Sequence, residues 1–189
     1  MMSAADFRMR HLMRVVLVAA VMLGVSACGG GGGGGSGGSP ASVTISGKIT
    51  FDRVPFKATL GTGLDFGAPI VPSPAREVVV EAVQPANVLG GETILASTTT
   101  NATGDYSLTV SANTTVFIRA KAQMLKTGTA PTWNFKVLNN TNNDALYVMD
   151  GTAASSGGSN QTRNLHALTG WGTSSYTGTR AAAPFAILD

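Results

Sequence analysis

Charge is scarce in this chain: only 12% of its 189 residues are Asp, Glu, Lys or Arg, about half the share usual in soluble domains. Basic residues never run to five in a row and acidic runs are missing too, so the electrostatic footprint of a nucleic-acid binder is absent. The net charge is +3, from 13 basic and 10 acidic residues. Setting aside the segment before position 28, which holds Arg8, Arg10, Arg14 and Asp6, leaves ten basic and nine acidic residues, a net of +1. Cysteine occurs once, as Cys28, which excludes an intrachain disulfide. Of two histidines only His166 lies beyond that segment, and neither HExxH nor CxxC is present. A lone histidine without Cys or carboxylate partners at suitable spacing does not make a zinc site. SxxK does not occur, and the GxSxG match at Gly34 to Gly38 is a trivial one within a glycine run, so no nucleophilic serine is marked. General acid–base chemistry needs positioned partners that the sequence does not display. The expectation is therefore no catalytic residue, no metal and no cofactor within these residues.

What is present begins at the N-terminus. Arg8, Arg10, His11 and Arg14 form a positive region, followed by an apolar run of eleven, Val15 to Val25 (VVLVAAVMLGV). Eleven residues fall short of the roughly 20 of a bilayer-spanning helix and fit the apolar region of a secretory signal peptide. Val25-Ser26-Ala27-Cys28 resembles a bacterial lipobox, in which a small residue precedes an invariant Cys. That resemblance implies cleavage between Ala27 and Cys28, acylation of the Cys28 thiol with palmitate-type chains, and Cys28 as the mature N-terminus. Two or three acyl chains anchor stably where one does not, because each buried methylene contributes roughly 0.8 kcal/mol. A small buried hydrophobe is the other common fate of a free Cys, but the glycines that follow supply no local element to bury it. Gly29, where an Asp would suggest inner-membrane retention, points by the same resemblance to the outer membrane of a Gram-negative cell. Met2, Met9 and Met13 leave the start codon open. Gly29 to Gly35 is unbroken glycine, followed by Ser36, Gly37, Gly38, Ser39 and Pro40. Such a twelve-residue chain spans roughly 20 Å as a flexible spacer. Its trivial GxGxxG match follows no strand and opens no helix, so it carries no dinucleotide reading.

Beyond the spacer the pattern is that of short strands. Ser42 to Asp52 alternates, with Val43, Ile45, Ile49 and Phe51 on one face and Thr44, Ser46, Lys48 and Thr50 on the other. Gly47 on the apolar face suggests a bulge or a close backbone approach. Glu77 to Gln84 and Glu92 to Thr100 read as further strands, and Asn101 to Gly104 as a turn. Asp105 to Ser111 directs Tyr106, Leu108 and Val110 inward, and Thr114 to Gln123 places Val116, Ile118 and Ala120 on one face. Short strands at roughly ten-residue spacing indicate an antiparallel sandwich or barrel. The exception is the connection from Arg53 to Arg76, where Pro55, Pro69, Pro72 and Pro74 exclude a central strand and a long helix. Phe56, Leu60, Leu64 and Phe66 are expected to pin it to the domain.

Ser46-Gly47-Lys48-Ile49-Thr50, Thr98-Thr99-Thr100, Gly104-Asp105-Tyr106-Ser107-Leu108 and Phe117-Ile118-Arg119-Ala120 occur in this order. They resemble a carboxypeptidase regulatory-like domain, a transthyretin-type β-sandwich. The resemblance covers residues 42 to 124, and Ser111-Ala112-Asn113 stands where that family usually has Pro-Ala-Gly. It implies an accessory domain that stabilises or presents something else and brings no catalytic residues. The expected organisation is a signal peptide at 1–27, a lipidated Cys and disordered Gly/Ser linker at 28–40, a sandwich at 41–124, a hairpin and Gly/Ser/Asn-rich extension at 125–179, and an apolar helix opening at 180–189.

Within the extension, Trp133 to Leu138 and Ala145 to Met149 are strand-like around the hairpin loop Asn139 to Asp144, and residues 151 to 164 read as a solvated loop. Asp144 and Asp150 flank a strand, but the loop lacks the D-x-D-x-D-G pattern of a calcium site. Trp133, Trp171 and Tyr176 form either a stacking platform for a sugar or part of a core. Asn101, Asn113, Asn139 and Asn160 each begin N-x-S/T; the lipobox implies a bacterial host, which discounts glycosylation. Thr179 is placed to cap a helix through Phe185, Ile187 and Leu188, apolar nearly all round and so normally buried. Asn164 to Ala167, Gly170-Trp171-Gly172 and Arg180 to Asp189 resemble a junction ahead of a zinc-metallopeptidase-like domain in larger secreted bacterial proteins, and residues 180–189 are then expected to dock on a part beyond this sequence. Capping the open end of the sandwich is the alternative. Three roles follow: a non-catalytic, lipid-anchored surface module; a carbohydrate- or partner-binding surface lipoprotein; or the accessory region of a larger peptidase-like protein whose catalytic domain lies elsewhere. In each the membrane is met through Cys28.

Overall fold

A computed structural model describes residues 41–189 apart from Leu60, Leu89 and Thr173. Ala27, Cys28, the leader and the linker lie outside the described residues. The chain is mainly β. Its elements are β1 (Ser42–Arg53), β2 (Val71–Pro74), β3 (Val78–Gln84), β4 (Thr93–Thr99), β5 (Asp105–Ser111), β6 (Thr115–Lys126) and β7 (Trp133–Lys136). They continue with β8 (Leu138–Asn139), β9 (Ala145–Leu146), β10 (Val148–Asp150), β11 (Ala154–Ser155), β12 (Gln161–Thr162), β13 (Leu165–Ala167) and the helix α1 (Ala183–Leu188).

Each sheet is built on one long strand. In the first sheet, β5 pairs antiparallel with the start of β1, setting Val43 beside Val110 and Ile45 beside Leu108. β2 continues along the same edge, because Ile49 N–H donates to Gly104 O while Ile49 O accepts from Ala75 N–H. The other edge of β1 takes β12 and then β13, both parallel. Proline is tolerated in β2 because that strand pairs on one side only, as an edge strand can. In the second sheet, β6 pairs with β3 along one edge and with β11, β10 and β7 in tandem along the other, and β4 closes the order beyond β3.

The apolar faces of the two sheets meet in one core. Every residue expected there from the alternation is buried: Val43, Ile45, Ile49 and Phe51 on β1, Val80 on β3, Tyr106, Leu108 and Val110 on β5, and Val116 and Ile118 on β6. Period-two patterning had fixed which side chains face inward because one face of each strand is dry. Val78, Ala82, Ala120 and Ala167 complete the core, and Phe185 of α1 joins it at 3% exposure.

Three expectations are corrected. The sandwich does not end at residue 124: β6 runs through Lys126, the later strands complete both sheets, and the described residues belong to one compact unit. Residues 151 to 164 are not a solvated loop. Ser156 is fully buried, accepting from Thr114 N–H and donating to Ser111 O. The Arg163 guanidinium donates to Val116 O at 2.8 Å and to the carbonyls of Ala154 and Ser155, joining the edges of the two sheets. Thr179 is not the helix cap: α1 starts later, with Ala182 as N-cap, no capping side chain, and Pro184 in its first turn. Nor does the apolar helix need a second body to bury Phe185, since it packs on β1 and β6 within this chain.

The close approach expected at Gly47 is present. A β-carbon there would lie 2.1 Å from Arg163 O and 3.0 Å from the Tyr106 ring. Gly47→Ala must push the parallel edge away from β1 and should cost about 1–3 kcal/mol in chemical unfolding; a change below about half a kcal/mol, the range of a neutral surface site, would show that the edge yields freely. The same carbonyl accepts the Tyr106 hydroxyl at 2.6 Å. Burial pushes the Tyr106 hydroxyl up to about 12 from its ordinary value of 10, with the Arg163 charge pulling the other way. Between those values the native state keeps a proton that the unfolded chain loses, so stability present at lower pH falls as pH rises through the window. Tyr106→Phe should remove that alkaline slope while costing about 1 kcal/mol at neutral pH; unfolding midpoints followed across the window check both.

Candidate functional site

The far end of β1 delivers Asp52, Arg53 and Val54 to a hollow of about 310 Å³. Three structures wall it. The first is a hairpin in the proline-rich connection, closed by the Phe56–Leu64 bridge, by Lys57 N–H donating to Gly63 O at 2.9 Å and by Asp65 N–H donating to Pro55 O at 2.7 Å. Gly61 and Gly63 turn it with φ near +80°, which side chains resist. The connection is pinned less than expected. Phe56 is 74% exposed and Leu64 42% exposed, because both face the hollow rather than the core, and Phe66 alone of the described three is held by ring contacts.

The second wall is a tight hairpin from Gly170 to Gly178. Thr177 and Gly178 N–H donate to Gly170 O, and Trp171 bridges Tyr176. A β-carbon on Gly170 would lie 2.5 Å from Gly178 O, so only glycine closes this turn. The Phe66 ring lies 4.2 Å from Trp171 and 5.9 Å from Tyr176, and Trp171 and Tyr176 meet edge to face at 4.9 Å. The Arg180 guanidinium stacks 3.7 Å above the Tyr176 ring. The third wall is the alanine side of α1, Ala182, Ala183 and Ala186, whose small side chains leave the space open.

The three expected platform residues are not brought together. Trp171 packs on Phe66 and meets Tyr176 edge to face, so these two rings support each other, and Tyr176 alone of the three lines this hollow. Trp133 lies on β7 beneath Lys126 Nζ at 4.7 Å and lines a different hollow with Phe135 and Ile187. Asp144 and Asp150 do not converge on a cation site. Asp144 sits in a turn at φ 53°, and Asp150 takes two hydrogen bonds from Arg119, which Glu92 also engages. Those two carboxylates hold the Arg119 guanidinium protonated well beyond its ordinary range, Asp150 the more strongly. Among the described residues, no three His, Cys, Asp or Glu side chains gather as a metal site.

His166 has close partners that spacing did not reveal. β13 sets it beside Thr50 on β1. Asp52 Oδ1 lies 2.8 Å from His166 Nε2, and Thr50 Oγ1 lies 2.8 Å from Nδ1. A carboxylate only accepts, so Nε2–H donates to Asp52; in the neutral imidazole Nδ1 then accepts from the Thr50 hydroxyl. The other Asp52 oxygen accepts Thr169 N–H at 3.0 Å. The chain of bonds therefore ties β13, and the hairpin after it, to the end of β1. Asp52→Ala leaves Thr169 N–H and His166 without their acceptor, and should cost about 1–3 kcal/mol. In a Trp133→Phe background, Trp171 emission should shift to the red as its hairpin loosens; unchanged emission and stability would show that Asp52 does not hold it.

No family model matches the chain, and no curated protein matches it. Among solved structures it is similar to a 9R-lipoxygenase from Cyanothece PCC8801, at 10% identity and a TM-score of 0.35, over 66% of this chain and 16% of that one. A likeness of that degree brings nothing of the lipoxygenase to this chain.

Proposed function

We propose that the chain is a non-catalytic, lipid-anchored module of the bacterial cell envelope: a carboxypeptidase regulatory-like β-sandwich that presents or supports a surface assembly from the outer membrane. The observation that carries this reading is the succession of Val15 to Val25, Val25-Ser26-Ala27-Cys28 and the glycine spacer. The chemistry of the described residues is in keeping with it. Ten of their charged groups pair within the fold: Lys121 with Glu81 at 2.5 Å, Lys48 with Asp105 at 2.7 Å, Arg119 with Asp150 and Glu92, and Asp189 with Arg53 and Arg76. The Asp105 carboxyl is lowered by its bonds from Lys48 and Thr103, as suits a surface ion pair. Among the described residues no helix is long and apolar enough to cross a membrane, and this reading assigns attachment to the acyl chains on Cys28.

A second reading, a carbohydrate- or partner-binding surface lipoprotein, is favoured by the shallow hollow of about 580 Å³ where Trp133 and Phe135 meet Ile187 beside α1. Phe135 is 60% and Ile187 71% exposed there, the kind of apolar patch that marks an interaction surface. Intact mass of the mature protein tests the first reading. The expected N-terminus is Cys28 carrying acyl chains, and Cys28→Ser should release the protein from the membrane fraction or block its processing. An unmodified thiol, or a mature chain that begins elsewhere, would overturn it.

A further inference from the structure

The hollow at the end of β1 carries an inference that does not depend on the lipid anchor. Its volume of about 310 Å³ falls at the lower end of the range of small-molecule sites, about 300–1,000 Å³, and such sites are mostly apolar with a few convergent polar groups. Phe56, Leu64, Phe66 and Tyr176 supply the apolar and aromatic walls, and Ala183 and Ala186 the open floor. Three charged side chains line it. Asp52 is occupied by His166 and by Thr169 N–H, and Arg53 by Asp189. Arg180 is the lining charge with no carboxylate partner among the described residues; its guanidinium is held over the Tyr176 ring instead. Stacking leaves the edge of the guanidinium free, and that edge is the fork that takes an anion through paired N–H donors.

We infer that this hollow binds a small amphipathic anion, with its apolar body between Phe56, Leu64 and Tyr176 and its carboxylate on Arg180. The head group sits at the rim, where the charge stays hydrated in part, and the body enters the space left by the alanines of α1.

The test uses 4-phenylbutyrate, its alcohol 4-phenylbutanol and the cation 4-phenylbutylammonium, titrated against the full chain as purified, in buffer if it is soluble or in zwitterionic nanodiscs if it is membrane-bound, with the same medium without protein as the blank. The acid should bind about tenfold tighter than the alcohol, the gain expected of one charge-assisted contact, and the cation weakest. Arg180→Gln should bring the acid to the level of the alcohol. Ala186→Trp, at an exposed position, should fill the hollow and abolish binding of both, with the melting temperature unchanged. Equal binding of acid and alcohol, binding that survives Ala186→Trp, or no binding at millimolar probe would each overturn the inference. The outcome is independent of whether Cys28 is acylated.

Discussion

The structure depends on β1 being paired along both edges while its apolar face is buried. A twelve-residue strand with Ile45, Ile49 and Phe51 wholly inaccessible would present an open ladder if only β5 and β2 paired with it, and open ladders recruit foreign strands. Here β12 and β13 close the second edge in parallel. These two strands are too short to cover it alone. Asn160 Oδ1 accepts Thr44 N–H and Asn164 Oδ1 accepts Lys48 N–H, so asparagine side chains extend the ladder on either side of Arg163. Closure brings Arg163 O onto Gly47, and the same residue's guanidinium reaches across to β6 and β11. One residue thus sets the spacing of the parallel edge and the seam between the sheets.

The hollow is a consequence of the same arrangement. β13 places His166 beside Thr50 and Asp52, and Asp52 then holds Thr169 at the root of the Trp171–Tyr176 hairpin. On the opposite side Arg53 holds Asp189 at the end of α1, while Ala182 N–H donates to Leu168 O. The walls are therefore positioned by hydrogen bonds and ion pairs at the end of β1, and their apolar side chains are left facing space. That is the arrangement a binding hollow needs, since side chains committed to the core are unavailable to a ligand.

The legible and illegible parts of the sequence divide on physical grounds. β1 and β5 were readable because each buries one face, and burial of one face writes a period of two into the residues; β6 keeps that period although Phe117 and Gln123 are buried on its other face. The turns at Asn101 to Gly104 and at Asn113 were readable because Gly104 and Asn113 adopt φ of 79° and 55°, backbone that Gly and Asn accept with least strain. β11 and β12 carry no such signal. They are two residues long and lie among Gly, Ser and Asn, and what they contribute is backbone hydrogen bonding, which any sequence can supply. The grouping of Thr50, Asp52 and His166 was equally silent, because more than a hundred residues separate the histidine from its partners. Trp171 and Tyr176 were expected to share a platform with Trp133; they pack instead with Phe66, a partner hidden in the proline-rich connection.

β1 also sets its own two ends far apart. The strand begins at Ser42, and the hollow opens beyond Arg53. Eleven steps of strand at about 3.3 Å each separate them by roughly 36 Å. The stiff, doubly paired strand keeps those two ends apart, so a contact made at Ser42 does not compete for surface with one made at the hollow.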